Sequence, residues 1–298
     1  MKIAVVGAGA WGSALAFALG VKNEVIITSR TPRELENFVP LEEALACEYI
    51  LFAISTQNVR SFLEANFKFT SQKILVASKG IETSTGSFLH DLFSEFLPPE
   101  NISFLSGPSF AAEVKQKLPC ALVISSQNED LARIWADAFP PFIKTYTSSD
   151  VIGAEICGAY KNVIAIASGI CAGLGLGHNA RASLVARGLV EMCRFGKFFG
   201  GKEETFLGLS GAGDLFLTAS SELSRNYRVG LGLARGLSLE AILAELGEVA
   251  EGVATTEAIT AIAHNRAIYT PVANVVAELL HGGSIEEKLK EIMRRRID

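Results

Sequence analysis

The chain has 298 residues, 49% of them hydrophobic and 20% charged, and a formal net charge of -5. Such a composition is globular rather than disordered, and the length suggests about two domains, each with chain enough for its own core. The acidic balance gives no general reason to bind nucleic acid; Cys47, Cys120, Cys157, Cys171 and Cys193, dispersed and without a CxxC pair, point to reduced thiols in a cytoplasmic protein.

The first apolar run, Ile3 to Val6, begins almost at Met1, so no secretory signal is expected ahead of it. It leads directly into GAGAWG at residues 7–12 and then into the helix-forming stretch Ser13 to Ala18. Gly7 permits a tight turn, Gly9 lets the backbone approach a pyrophosphate, and Gly12 lets the helix pack on its strand. Ala10 and Trp11 complete the turn, and the helix N-terminus beyond it offers unpaired N–H groups to phosphate. Glycine-rich turns also arise for structural reasons alone; the position between a strand and a helix favours dinucleotide binding.

Short apolar runs then alternate with helical stretches. Strands are predicted at Lys2 to Val6, Glu24 to Thr28, Tyr49 to Ala53, Lys73 to Ala77, Ile102 to Leu105, Cys120 to Ser125 and Phe142 to Tyr146. Helices are predicted to start near Trp11, Leu41, Asn58, Thr85, Phe110 and Asn128. The rhythm implies a parallel sheet covered on both faces, with ligands at the carboxyl ends of its strands.

After about Ser148 the alternation ends. Helices are predicted at Asp150 to Cys171, Ala180 to Phe199, Gly213 to Ser220, Arg225 to Ala234, Leu239 to Leu246, Thr255 to His264, Val272 to His281 and Ile285 to Arg296. The expected architecture is therefore α/β: a Rossmann-type doubly wound sheet over residues 1–148, then an all-α domain over 149–298, with substrate in the cleft between. The uncharged stretch Asn162 to Gly177 is shorter than a bilayer span and is read as a buried central helix, so no membrane insertion is expected. Arg294, Arg295 and Arg296 close a helix whose start, Ser284 to Glu287, fits a capping box; there they complement the helix dipole.

Four segments carry polar residues that core packing does not explain. Ser78, Lys79 and Gly80 follow a strand at the ligand edge, where a lysine can donate to a phosphate or a carbonyl. Gly107, Pro108, Ser109 and Phe110 follow another strand, with Ser109 placed to cap a helix. Lys161 lies among Ile156, Val163, Ile164 and Ile166, so it either snorkels to solvent or is buried with its charge paired. Ser210 to Leu215 reads SGAGDL, in which glycines let backbone approach a ligand and Asp214 supplies a counter-charge; Ser224, Arg225 and Asn226 follow at a helix start suited to phosphate.

With GAGAWGSALA, SKGIE, LSGPSFAAEV, EICGAYKNVIAIASGICAGLGLGHNARA, GLSGAGDLFLT, SRNYRVG and VAEG in this order, the chain resembles the bacterial-type NAD(P)-dependent glycerol-3-phosphate dehydrogenases. The resemblance covers essentially the whole chain. It implies reduction of dihydroxyacetone phosphate to sn-glycerol 3-phosphate, a phospholipid precursor, with NAD or NADP as cofactor and no metal. It further implies that Trp11, Lys79, Ala111, Arg225, Val249 and Glu251 contact the cofactor. Lys79, Gly107, Ser109, Lys161, Asp214, Ser224, Arg225 and Asn226 would line the substrate, with Lys161 exchanging the proton and Lys79 and Asp214 assisting it. The oligomeric state stays open, a homodimer being one candidate.

The chain departs from the family pattern at Arg30 to Glu48, which is shorter and lacks a tyrosine-leucine-proline element. Further departures are Ala53 to Thr56, where a proline is missing, Tyr160 in place of leucine, and Ala186 in place of threonine. The second strand ends Ile27, Thr28, Ser29, Arg30 without the carboxylate that would bind a ribose 2′-hydroxyl, so Arg30 is expected to pair with the 2′-phosphate of NADP. Two rivals remain: a dehydrogenase of another small phosphorylated or carboxylated ketone, and a dinucleotide-binding redox sensor without turnover.

Overall fold

The computed structural model describes residues 1–247 and 249–284. The helix expected at Ile285 to Arg296, with its arginine run, lies outside the described residues; of the capping box only Ser284 lies within. Residues 1–79 and 88–155 form one compact unit, and residues 80–87 with those from 156 onward form a second.

The first unit holds seven strands: β1 Lys2–Val6, β2 Glu24–Thr28, β3 Tyr49–Phe52, β4 Lys73–Val76, β5 Ile102–Ser106, β6 Cys120–Ser126 and β7 Ile143–Ser148. They form a single sheet in the order β2-β1-β3-β4-β5-β6-β7. Side chains alternate between its faces with the period of two that a strand imposes. Ile3, Val5, Leu51, Leu75, Leu105, Leu122 and Ile124 enter one core with Leu15 and Trp135. Ala4, Val6, Ile50, Phe52, Ile74, Val76 and Phe104 enter the other with Leu63, Leu92 and Phe93. Both faces are apolar because both are covered, by α1 Ala10–Leu19, α2 Leu41–Leu45, α3 Val59–Asn66, α4 Leu89–Ser94, α5 Ala111–Lys115 and α6 Glu129–Ala138.

Two expectations change here. The sheet is not wholly parallel: β6 runs antiparallel to β5 and parallel to β7. A parallel crossover must carry the chain back along the strand, but the helix available between β5 and β6 has five residues, a rise of only about 7.5 Å. No helix starts near Thr85; α4 begins at Leu89, and residues 80–87 form a turn of the second unit.

The second unit is helical. Its elements are α7 Val151–Gly173, which begins in the first unit, α8 Gly177–Phe198, α9 Glu203–Leu207, a π-helical turn Leu209–Gly213, α10 Asp214–Ser220, α11 Arg225–Ala234, α12 Leu239–Leu246, α13 Glu251–Arg266 and α14 Pro271–Leu280. The sequence reading lacked α9, a helix of five residues that is too short to show a period. Helix α7 runs for 23 residues and is long and apolar enough to cross a bilayer, more than the expected segment allowed; 89% of its apolar window is buried inside the protein. It packs against α11 at very short range. A Cβ on Gly169 would stand 2.1 Å from the Tyr227 carbonyl oxygen, and one on Gly230 would stand 2.1 Å from that of Ile166. Only glycine allows backbones this close.

Glu191 on α8 is buried at 2% exposure, and its carboxylate accepts from the Tyr160 hydroxyl (2.8 Å), Val272 N–H (2.7 Å) and Ala273 N–H (2.9 Å). It thus caps α14, whose own Thr270 makes no side-chain cap bond. Burial pushes both Glu191 and Tyr160 up from their ordinary pKa values.

In the first unit, His90 on α4 faces two carboxylates. Its Nδ1 meets Glu155, which also accepts the His90 N–H at 2.9 Å, and its Nε2 lies 3.1 Å from Asp91 Oδ1. Only the imidazolium can donate from both ring nitrogens. Burial pulls the His90 pKa down, but the hydrogen bond and charge of Glu155, with Asp91, more than offset it, and the value rises above 6.5. The imidazolium's stabilisation is therefore present below that ordinary value and lost as pH rises through the folded-state value; burial pushes the Glu155 carboxyl up, so protonation of Glu155 sets the acid limit of the pair. Replacing His90→Gln should remove about 1 kcal/mol near pH 5.5 and little near pH 9. Thermal melts of both proteins across that range should show a gap of roughly 2–4 °C that closes with rising pH.

Candidate active site

In the first unit the fingerprint lies at the β1 to α1 turn. Gly7 has φ +116°, and a Cβ there would stand 2.5 Å from the Ala53 carbonyl oxygen; its N–H donates to the Thr28 oxygen at 2.8 Å. A Cβ on Gly12 would collide with the Gly7 oxygen at 1.8 Å. Gly9 differs, because a Cβ there would meet nothing within 4 Å. Two of the glycines are thus required by the fold, and the third borders open space at the N-terminus of α1. Gly9 is the N-cap of that helix and supplies no side-chain cap, while Ala10 and half-buried Trp11 open it. Arg30 is exposed two residues beyond the end of β2, with no carboxylate before it.

At the ends of the next strands, Ser78 Oγ donates to the Ile54 carbonyl oxygen at 2.6 Å, and half-buried Lys79 follows. Gly107 has φ +107° and packs on the Ala121 backbone. Ser109 is not the helix cap expected of it. The N-cap of α5 is Phe110, and the Ser109 hydroxyl donates to the Gly107 carbonyl oxygen at 3.2 Å. Half-buried Ala111 opens α5.

The second unit carries the buried charges. Lys161 on α7 is 6% exposed, so it does not snorkel, and its Nζ lies 2.5 Å from Asp214 Oδ1 and 3.0 Å from Thr218 Oγ1. The Thr218 hydroxyl donates in turn to Asp214 Oδ1 at 3.2 Å. Thr218 escaped the sequence reading, although it stands one helical turn after Asp214, the spacing that places two side chains on one face. The ammonium is thus oriented from two directions. Gly211 is required by packing, since a Cβ there would stand 2.0 Å from the Phe206 carbonyl oxygen.

Ser224 caps α11, its Oγ accepting Tyr227 N–H at 3.2 Å, and half-buried Arg225 is the first helical residue. Asn226 is buried, and its Oδ1 accepts the Gly252 N–H of α13 at 3.0 Å. A Cβ on Gly252 would meet that oxygen at 2.6 Å and the Asn162 carbonyl oxygen at 3.0 Å. Asn226 therefore ties the start of α11 to the start of α13, a role the sequence did not suggest, and Gly252 lets that start of α13 approach the α7 backbone at Asn162, next to Lys161. Glu251 opens α13 half-buried, whereas Val249 is 55% exposed.

Comparison with known proteins adds to this geometry. Residues 27–132 match the family model described as the NAD-dependent glycerol-3-phosphate dehydrogenase N-terminus, and residues 150–291 match the model of its C-terminus. The chain belongs to this dehydrogenase family. It is 61% identical over 281 residues to the glycerol-3-phosphate dehydrogenase NAD(P)+ of Sulfurimonas denitrificans, covering 94% of this chain and 95% of that protein. Its identity to the protein of the same name from Campylobacter jejuni strain RM1221 is 59% over 295 residues, 99% of each chain. A crystal structure of glycerol-3-phosphate dehydrogenase from Coxiella burnetii superimposes with a TM-score of 0.91 at 32% identity, covering 99% of both chains. In this family frame, the two-unit architecture and the buried lysine belong to an NAD(P)-dependent oxidoreductase acting on a CH-OH group.

Removing one partner of a buried ion pair leaves an uncompensated charge, which typically costs about 3–5 kcal/mol. Asp214→Leu should therefore lose stability of that order in urea unfolding, and adding Lys161→Met to it should restore part of the loss.

Proposed function

We propose that the chain reduces dihydroxyacetone phosphate reversibly to sn-glycerol 3-phosphate in the cytoplasm, supplying glycerophospholipid synthesis. The observation that carries this reading is the buried Lys161 ammonium, held by Asp214 and Thr218 in the unit that also presents Arg225 at a helix start. A ketone reduction adds a hydride to carbon and a proton to oxygen. The bound reduced nicotinamide supplies the hydride.

The open space at Gly9 and the uncapped start of α1 fit a dinucleotide pyrophosphate. Gly7, Gly9, Ala10, Trp11 and Gly12 would hold that part of the cofactor, with Arg30 on the adenosine ribose. By family resemblance, Lys79, Ala111, Arg225, Val249 and Glu251 add further cofactor contacts.

Lys161 donates the proton to the developing alkoxide at C2 and reclaims it in the reverse direction. Asp214 and Thr218 fix the direction in which its N–H bonds point. By family resemblance, Lys79 adds positive charge at the carbonyl or the phosphate, and Gly107 and Ser109 contact the substrate. The phosphate is assigned to the start of α11. Arg225 offers a charge-assisted fork there, Ser224 a hydroxyl, and Asn226 the amide donors that its bond to Gly252 leaves unused in kind.

Lys161→Met keeps the volume and removes the proton. The variant should bind NADPH normally and turn over about 10²–10⁴-fold more slowly with dihydroxyacetone phosphate. Full turnover by a folded Lys161→Met protein would remove Lys161 from the role.

Cofactor choice has its own test, resting on exposed Arg30 and the absence of a carboxylate at the end of β2. NADPH should serve at least as well as NADH, and Arg30→Ala should depress kcat/KM for NADPH selectively. A strong preference for NADH that is unchanged in Arg30→Ala would refute the pairing.

A further inference from the structure

The eight residues after Lys79 are used by neither the sheet nor the mechanism, yet they are built as carefully as either. Before Lys79 the chain is fixed to the sheet: Ala77 N–H donates to the Phe52 oxygen at 2.8 Å and Ser78 Oγ to the Ile54 oxygen at 2.6 Å. Directly after it the chain leaves that unit, and residues 80–87 belong to the helical one. Gly80 enters with φ +150°, Ile81 is wholly buried and Glu82 is 4% exposed. A Cβ on Gly86, at φ +75°, would stand 3.4 Å from Ile262 of α13.

The segment closes on itself. Glu82 N–H donates to the Ser87 oxygen at 3.0 Å, and Gly86 N–H donates to the Glu82 oxygen at 2.9 Å. Thr85 stands at its centre. The Thr85 hydroxyl meets the Glu82 carboxylate and lies 2.9 Å from Ser87 Oγ, and it accepts Ser87 N–H at 3.1 Å. Three groups thus converge on one oxygen.

A lysine side chain is flexible and pays conformational entropy whenever it is held in one place. The sheet bonds of Ala77 and Ser78 fix the backbone before it, and the closed turn at residues 82–87 restricts the conformations open to the chain after it, which reduces the number of positions its ammonium can sample. We propose that residues 80–87 form a strap that positions Lys79 for the reaction, and that Thr85 is the positioning residue that closes it. Thr85 touches no reacting group; it acts through the backbone that ends at Lys79. The proposal rests on the reading of Lys79 as a substrate contact.

A double-mutant cycle tests it on the whole enzyme, with Thr85→Val, Lys79→Ala and their combination assayed with NADPH and dihydroxyacetone phosphate. Thr85→Val should lower kcat/KM about tenfold in the parent and less than twofold when Lys79 is already alanine, because coupled residues are not additive. Thr85→Ser, which keeps the hydroxyl, should retain the parent value. If Thr85→Val melts early, Ser87→Ala replaces it in the same cycle, with the same non-additivity expected at smaller size. An equal loss in both backgrounds would mark a general structural role and overturn the proposal, as would parent activity in a folded Thr85→Val protein. Parent activity in Lys79→Ala would instead overturn the reading of Lys79 itself, and the strap's role with it.

Discussion

A lysine ammonium taken out of water must meet an opposite charge, and the helical unit is arranged around meeting that demand at Lys161. The several kcal/mol that desolvation costs are offset only if the geometry of the partner is fixed. Asp214, which lies 53 residues along the chain, supplies the charge from the first position of α10. The preceding π-helical turn aims that position, and the turn is itself held by the close packing of Gly211 on Phe206. Thr218 then satisfies both ions. Loosening any of these parts would return the cost of the buried charge to the protein.

Close backbone approach is the second constraint. Gly169 and Gly230 bring α7 and α11 together at distances no other residue permits, and Gly252 does the same for α13 against Asn226 and Asn162. The side chains at the start of α11 are therefore registered against the helix that carries Lys161 by backbone contact, which is stiffer than contact through long side chains.

Much of the fold was legible in the sequence because short apolar runs alternating with helical stretches carry their own geometry. The short apolar runs matched β1 and β2 to the residue, and the expected α11 and α12 agree with the observed helices, where Ser224 and Ser238 both cap as their residue type predicts. Lys161, a polar residue in apolar surroundings, was expected to be either snorkelling or buried with its charge paired, and the structure has it buried and paired with Asp214. What stayed hidden depends on tertiary context. The antiparallel β6 follows from the length of one short helix, and the turn at residues 80–87 is built from side chains that read equally well as a helix start. Ser109 spends its hydroxyl on Gly107 because the helix begins one residue later than its type suggests. Asn226 finds its Gly252 partner, and Thr218 its Lys161 partner, only across helices.

Glu191 has a consequence for the order in which the chain folds. Helix α14 has ten residues, below the length at which an isolated helix persists in water, and its first N–H groups are satisfied by a carboxylate 81 and 82 residues upstream. Neither local propensity nor a local cap can nucleate it. Its formation waits for α8 to be in place and for a long loop to close, which places α14 among the last elements to consolidate and, by the same reasoning, among the first to be released when the domain opens.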